Sequence, residues 1–124
     1  MFRSYVFPVM DRPNLTVLTH ALVTRLIFEG KRAAGVEISY DGKTNRIGAG
    51  LEVVLSLGAM NTPKLLMQSG ISDQAELRRF GIPVVQHLPG VGQNFQDHPG
   101  VRCVWEYKAP LPPCNNMAEG ERQI

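Results

Sequence analysis

Residues Leu51 to Gly70 read LEVVLSLGAMNTPKLLMQSG. Val53, Val54 and Leu55 are consecutive apolar residues, as in a strand covered on both faces. Small residues follow at Gly58 and Ala59, and then Asn61-Thr62-Pro63 opens a helical run. Thr62 or Asn61 is the expected cap, Pro63 suits the first helical position, and Gly70 is the expected stop. A buried strand that ends in a small-residue turn and feeds a helix is a nucleotide-binding geometry. Small residues let a ligand reach the backbone, and the helix amides favour polar or anionic groups. On chemistry alone, close strand–helix packing is the more ordinary account of Gly58 and Ala59.

Upstream, Asn14 to His20, Leu22 to Phe28, Ala33 to Tyr40 and Lys43 to Ile47 are rich in β-formers. Asp41-Gly42 suits a type I′ turn, and Glu29 to Arg32 offers a second reversal. Residues 22–48 therefore read as an antiparallel meander. Downstream, Asp73 and Glu76 have capping-box spacing, which predicts a short helix over Asp73 to Phe80 stopped by Gly81 and Pro83. Ile82 to His87 reads as extended, Leu88 to Gly92 as a loop, and Val101 to Tyr107 as one more strand. The expected fold class is α/β: part of a Rossmann-like nucleotide-binding domain joined to an antiparallel meander. Residues 1–108 form that unit, and the proline-rich 109–124 is expected to be a loose tail.

The 124 residues suffice for one modest domain, with 44% apolar and 19% charged residues and a net charge of +2. That balance gives no reason to expect nucleic acid as a partner. No run approaches the ~20 apolar residues of a membrane span, and the start lacks the apolar core of a signal peptide. The two cysteines, Cys103 and Cys114, have no metal-ligand spacing. They are expected to stay reduced, which implies a cytoplasmic setting.

The run Gly58 to Ile71 (GAMNTPKLLMQSGI) resembles the second signature of the glucose–methanol–choline (GMC) oxidoreductases. That pattern has Gly, a small residue, two free positions, Ser/Thr, Pro, one free position, two aliphatics, two free positions, then Ser-Gly-aliphatic-Gly. The chain departs from it at Ser72, where the family carries Gly, so the turn after the helix is expected to lose a glycine conformation. Three further blocks fit the family in order. They are Asn14 to Val23 (NLTVLTHALV), Lys31 to Val36 (KRAAGV) and Pro89 to Pro99 (PGVGQNFQDHP). The similarity runs from about Arg3 to Tyr107.

The resemblance implies FAD as cofactor and small alcohols as substrates of the full-length parent. It also implies cofactor-binding roles. The residue matching Val23 offers its backbone to the adenine. Those matching Ser56, Gly58 and Ala59 lie beside the adenosine, and Asn61 and Pro63 shape that turn. No residue of this chain falls on the family's catalytic histidine motif, and the family's G-x-G-x-x-G is absent. Gly90 to Phe95 imitates that fingerprint without its strand–helix context. Asp97 and His98 are neighbours, suited to a local hydrogen bond rather than to acid–base work. The expected activity is therefore part of an FAD-dependent alcohol oxidoreductase, inactive alone. The alternatives are an adenine-nucleotide module without catalysis, or a piece that needs a complementary chain.

Overall fold

The computed structural model describes residues 2–104. The expected tail and the end of the Val101–Tyr107 run lie outside the described residues; residues 101–104 of that run, read as a strand, form no ladder with any described residue. Two irregular helical turns, Phe2–Val6 and Phe7–Val9, open the chain. Next come three strands, β1 (Leu22–Glu29), β2 (Arg32–Tyr40) and β3 (Lys43–Gly48), paired in that order. Both pairings are antiparallel. Glu29 faces Arg32 across one two-residue turn, and Tyr40 faces Lys43 across the other. At the second turn Asp41 and Gly42 have φ of 50° and 69°, the two left-handed residues that a type I′ turn demands.

β1 carries two register irregularities, between Val23 and Arg25 and between Ile27 and Phe28. At the first, the Thr24 hydroxyl donates to the Glu37 carbonyl at 3.1 Å and fills the gap in the ladder. Beside it, Glu37 accepts from Arg25 at 3.1 Å and lies 3.6 Å from Arg46.

Helix α1 spans Gly58–Gln68 and packs on β1 through Leu65, which is buried with Leu26 and Ile38. Ser69, its C-cap, fastens the two elements. Its Oγ donates to the Leu65 carbonyl at 2.6 Å and accepts the Leu26 N–H at 2.8 Å. Gly70 then turns the chain at φ +86°. A Cβ there would stand 2.3 Å from the Pro83 carbonyl oxygen, so only glycine fits. The Gly70 carbonyl in turn accepts from Val85 and Gln86.

Helix α2 (Gln74–Arg79) is capped as its sequence predicts: Asp73 accepts from the Ala75 and Glu76 amides. It ends at Gly81 in a Schellman arrangement, with Ile82 N–H on the Leu77 carbonyl and Gly81 N–H on that of Arg78. The strand pieces β4 (Ile71–Ser72) and β5 (Gln86–His87) then pair in parallel.

Three expectations change. Asn14 to His20 forms no ladder: Asn14 lies in a turn and the segment ends in a bend with His20 at φ 58°. α1 starts at Gly58 rather than beside Pro63, which lies inside the helix. Thr62 Oγ1 nevertheless reaches back to accept the Leu57 N–H at 3.2 Å, so it caps from within the helix. Leu51 to Ser56, expected as a strand covered on both faces, has no strand partner among the described residues. Leu51 is 95% and Val54 73% exposed. The hairpin-connected meander offers that segment no parallel neighbour, so Leu51 and Val54 are left in solvent while Val53 and Leu55 are half-buried. The Rossmann-like sheet is thus not formed within the described residues, whose parallel pairing is confined to β4 and β5.

Candidate functional site

β1 is the outer strand of its sheet, so one row of its backbone groups faces away from β2. At Leu26 that row is met by Ser69. Toward the start of the strand it opens into a groove of about 320 Å³, walled by Ala21 to Thr24 on one side and by Leu57, Asn61, Lys64, Leu65 and Gln68 on the other. This volume is at the lower end of the ~300–1,000 Å³ of small-molecule sites. Its walls are largely apolar with a few polar groups. Lys64 is the sole charged residue among those lining it.

The structure thus brings together two of the residues expected from sequence. Val23 lies half-buried on β1 opposite Ile38, and Asn61 lies across the groove from it on α1. Ala59 and Pro63 line a second, larger groove of about 930 Å³, whose far wall is Phe80, Ile82 and the loop Gly92 to Gln96. Ser56 and Gly58 stand exposed on the approach to α1, with Gly58 at φ +84° as the first helical residue. That left-handed conformation accounts for the glycine without any ligand.

Sequence reading missed Lys64 and Gln68, which line both grooves. A signal was available once the helix is started at Gly58. Asn61, Lys64, Leu65 and Gln68 have i, i+3, i+4, i+7 spacing, which places them on one face. Met60, Pro63 and Met67 fall on the neighbouring face.

The remaining candidates for chemistry are local. Asp97 Oδ1 accepts the backbone N–H of His98 at 2.8 Å, and both residues are exposed. His87 Nδ1 accepts the Gln74 N–H at 3.1 Å, which ties β5 to the start of α2. Glu37 is held below its ordinary 4.5 by the hydrogen bond from Arg25, against a smaller opposing effect of burial, with further help from Thr24 and Arg46. Among the described residues, no group of three His, Cys, Asp or Glu side chains stands together as a metal site. No described helix is long and apolar enough to cross a membrane.

The first groove suits the adenosine end of a dinucleotide. An open strand edge can present N–H and C=O groups to a heterocycle edge, and the apolar walls can cover its faces. Ser72, the departure from the family pattern, costs no backbone conformation: it lies in β4, outside the left-handed region.

The family model described as GMC oxidoreductase matches residues 1–100. The mitochondrial choline dehydrogenase of Mus musculus is 53% identical over 95 residues, 77% of this chain and 16% of that protein. The oxygen-dependent choline dehydrogenase of Staphylococcus haemolyticus is 49% identical over 109 residues, 88% of this chain and 19% of that protein. Among solved structures, an FAD-dependent oxidoreductase from Chaetomium thermophilum superposes with a TM-score of 0.68 at 38% identity, covering 72% of this chain and 16% of its own. A pyridoxine 4-oxidase superposes at 0.62 and 34% identity, over 66% of this chain and 16% of its own. The chain spans less than a fifth of the length of each of these four relatives.

Proposed function

This chain belongs to the GMC oxidoreductases, and we propose accordingly that it supplies the adenosine-binding side of an FAD-dependent enzyme that oxidises the CH–OH group of an alcohol. The groove joining Val23 to Asn61 carries the reading. In it the β1 backbone near Val23 binds the adenine edge, and Asn61 orients the ribose side. Ala59 and Pro63 hold the chain close on the far side of α1, and Ser56 and Gly58 form the approach. FAD supplies the hydride acceptor when bound; these residues bind and orient it and keep water from its adenine.

The likeness to choline dehydrogenases makes a small amino alcohol the favoured substrate of the complete enzyme. No described residue is assigned as its base: Asp97 and His98 are exposed neighbours joined only through the His98 backbone N–H, and His87 Nδ1 accepts the Gln74 N–H. Residues 1–108 are read as part of the FAD domain leading toward the substrate domain. The exposed stretch Leu51 to Ser56 favours a companion reading, in which further strands of the fold, in the same or a complementary chain, must cover it before turnover is possible. A reducing, cytoplasmic setting is part of the proposal, with Cys103 free of a disulfide among the described residues; the mouse relative is by name mitochondrial.

Titration of the purified chain with FAD, followed by flavin fluorescence, tests the proposal. Saturable one-to-one binding without alcohol oxidation is expected. Absence of binding by a folded chain would remove the groove as the adenosine site.

A further inference from the structure

A second face of α1 carries Met60, Pro63, Lys64 and Met67 at i, i+3, i+4 and i+7 spacing, and all four line the groove of about 930 Å³. The loop Gly92 to Gln96 forms part of its opposite wall. Few bonds fix that loop in place. Leu88 N–H donates to the Ser72 carbonyl at 3.0 Å. Beyond it, the loop's hydrogen bonds among the described residues close only its own turns: Val91 N–H on the Leu88 carbonyl and Gln93 N–H on that of Gly90, each at 3.2 Å. What holds the loop against α1 is packing on Met67. A side-chain carbon at Gly92 would collide with the Met67 methyl group and would have Met67 Sδ and Pro63 Cβ each at 3.9 Å. The bare backbone of Gly92, at φ +77°, therefore seats directly on the thioether. Met67 is half-buried and lines the open groove, so a small solute can reach its sulfur.

We propose that Met67 is a redox-sensitive latch for the Gly92–Gln96 loop, opened by a peroxide. A sulfur lone pair attacks one peroxide oxygen and the O–O bond breaks. With hydrogen peroxide the products are methionine sulfoxide and one water; the sulfur gives up two electrons and the peroxide takes them. A flexible apolar thioether thereby becomes a polar group with an added oxygen, in a contact too tight to admit a side chain at position 92. The loop leaves α1, and the groove loses that wall. Reduction by a methionine sulfoxide reductase restores the seat, so the change is reversible. The latch belongs to the larger groove and stands independently of the adenosine assignment.

The test treats the full chain with hydrogen peroxide, locates the sulfoxides by mass spectrometry of its peptides and reads amide exchange on the same sample. Oxidation of Met67 should speed exchange over residues 91–96 about tenfold and leave the meander, residues 22–48, unchanged. Met67→Leu, close in volume but without the sulfur, should keep the loop slow after peroxide. Met67→Gln, polar at the same place, should free it without peroxide. Met60→Leu removes the 70% exposed sulfur of the same groove and should respond to peroxide as the wild type does. The wild-type comparison decides even where a variant fails to fold. The inference falls if the loop exchanges equally fast with Met67 oxidised and reduced, if Met67 stays reduced under conditions that oxidise Met60, or if Met67→Leu still loosens on treatment. A loop that exchanges freely before any oxidation would show that no latch exists.

Discussion

Two serines three residues apart illustrate how much one hydroxyl can matter in a small core. Ser69 Oγ accepts a buried backbone N–H and donates to a carbonyl, so both of its roles are structural. Replacing it with alanine leaves the Leu26 N–H buried without an acceptor and should cost roughly 1–3 kcal/mol. Faster amide exchange at Leu26 would report that loss directly. Ser72 is the opposite case: the residue is 1% exposed and its Oγ has no partner among the described residues. Ser72→Ala should therefore stabilise the chain, by about 1 kcal/mol, because it removes a hydroxyl that loses its water on folding and gains nothing. A lower urea midpoint for this variant would contradict that. Gly70→Ala is expected to be severe, since a left-handed φ alone costs roughly 1–3 kcal/mol and the added carbon meets the Pro83 carbonyl.

Among the elements, those whose signals are local were legible in the sequence. Asp41-Gly42 prescribes its own turn, Asp73 its own cap, and Gly70 and Gly81 their own helix stops. The start of α1 was not, because Asn61-Thr62-Pro63 imitates a helix opening while the helix already begins three residues earlier, at the left-handed Gly58. Nor was the groove: it depends on β1 and α1, which are distant in sequence and are joined by Ser69 and Leu26 across 43 residues. The site residues Val23 and Asn61 came from family resemblance, whereas Lys64 and Gln68 needed the helix register.

The β1–β2 pair also carries a pH dependence. Glu37 titrates below its ordinary 4.5 in the folded chain because Arg25 donates to it. The resulting stabilisation is present above the unfolded carboxylate range and is lost as pH falls through the lowered value. Glu37→Gln should flatten the acid side of the stability profile while leaving the urea midpoint of the wild type higher near neutrality. Equal acid sensitivity in both proteins would show that Arg25 contributes nothing.

For the whole molecule, the buried apolar set among the described residues is small: Leu26, Ile38, Leu65 and Leu77. Large side chains such as Leu51, Val54, Phe80 and Val101 stand more than half exposed. A core of this size supports only marginal stability. The chain alone is expected to melt broadly and to bind a hydrophobic dye. A sharp two-state melt of a monomer would refute that.

Open strand edges recruit further chains, and here the edges are unequally guarded. The Ser69 hydroxyl stoppers the free side of β1 at mid-strand, and β3 is an exposed strand carrying Lys43 and Arg46. Both are recognised deterrents to fibril growth. Leu51 to Ser56 has no such gatekeeper apart from Glu52. Filament formation by this polypeptide should therefore nucleate there, and one lysine at position 54 should suppress it while leaving the meander intact.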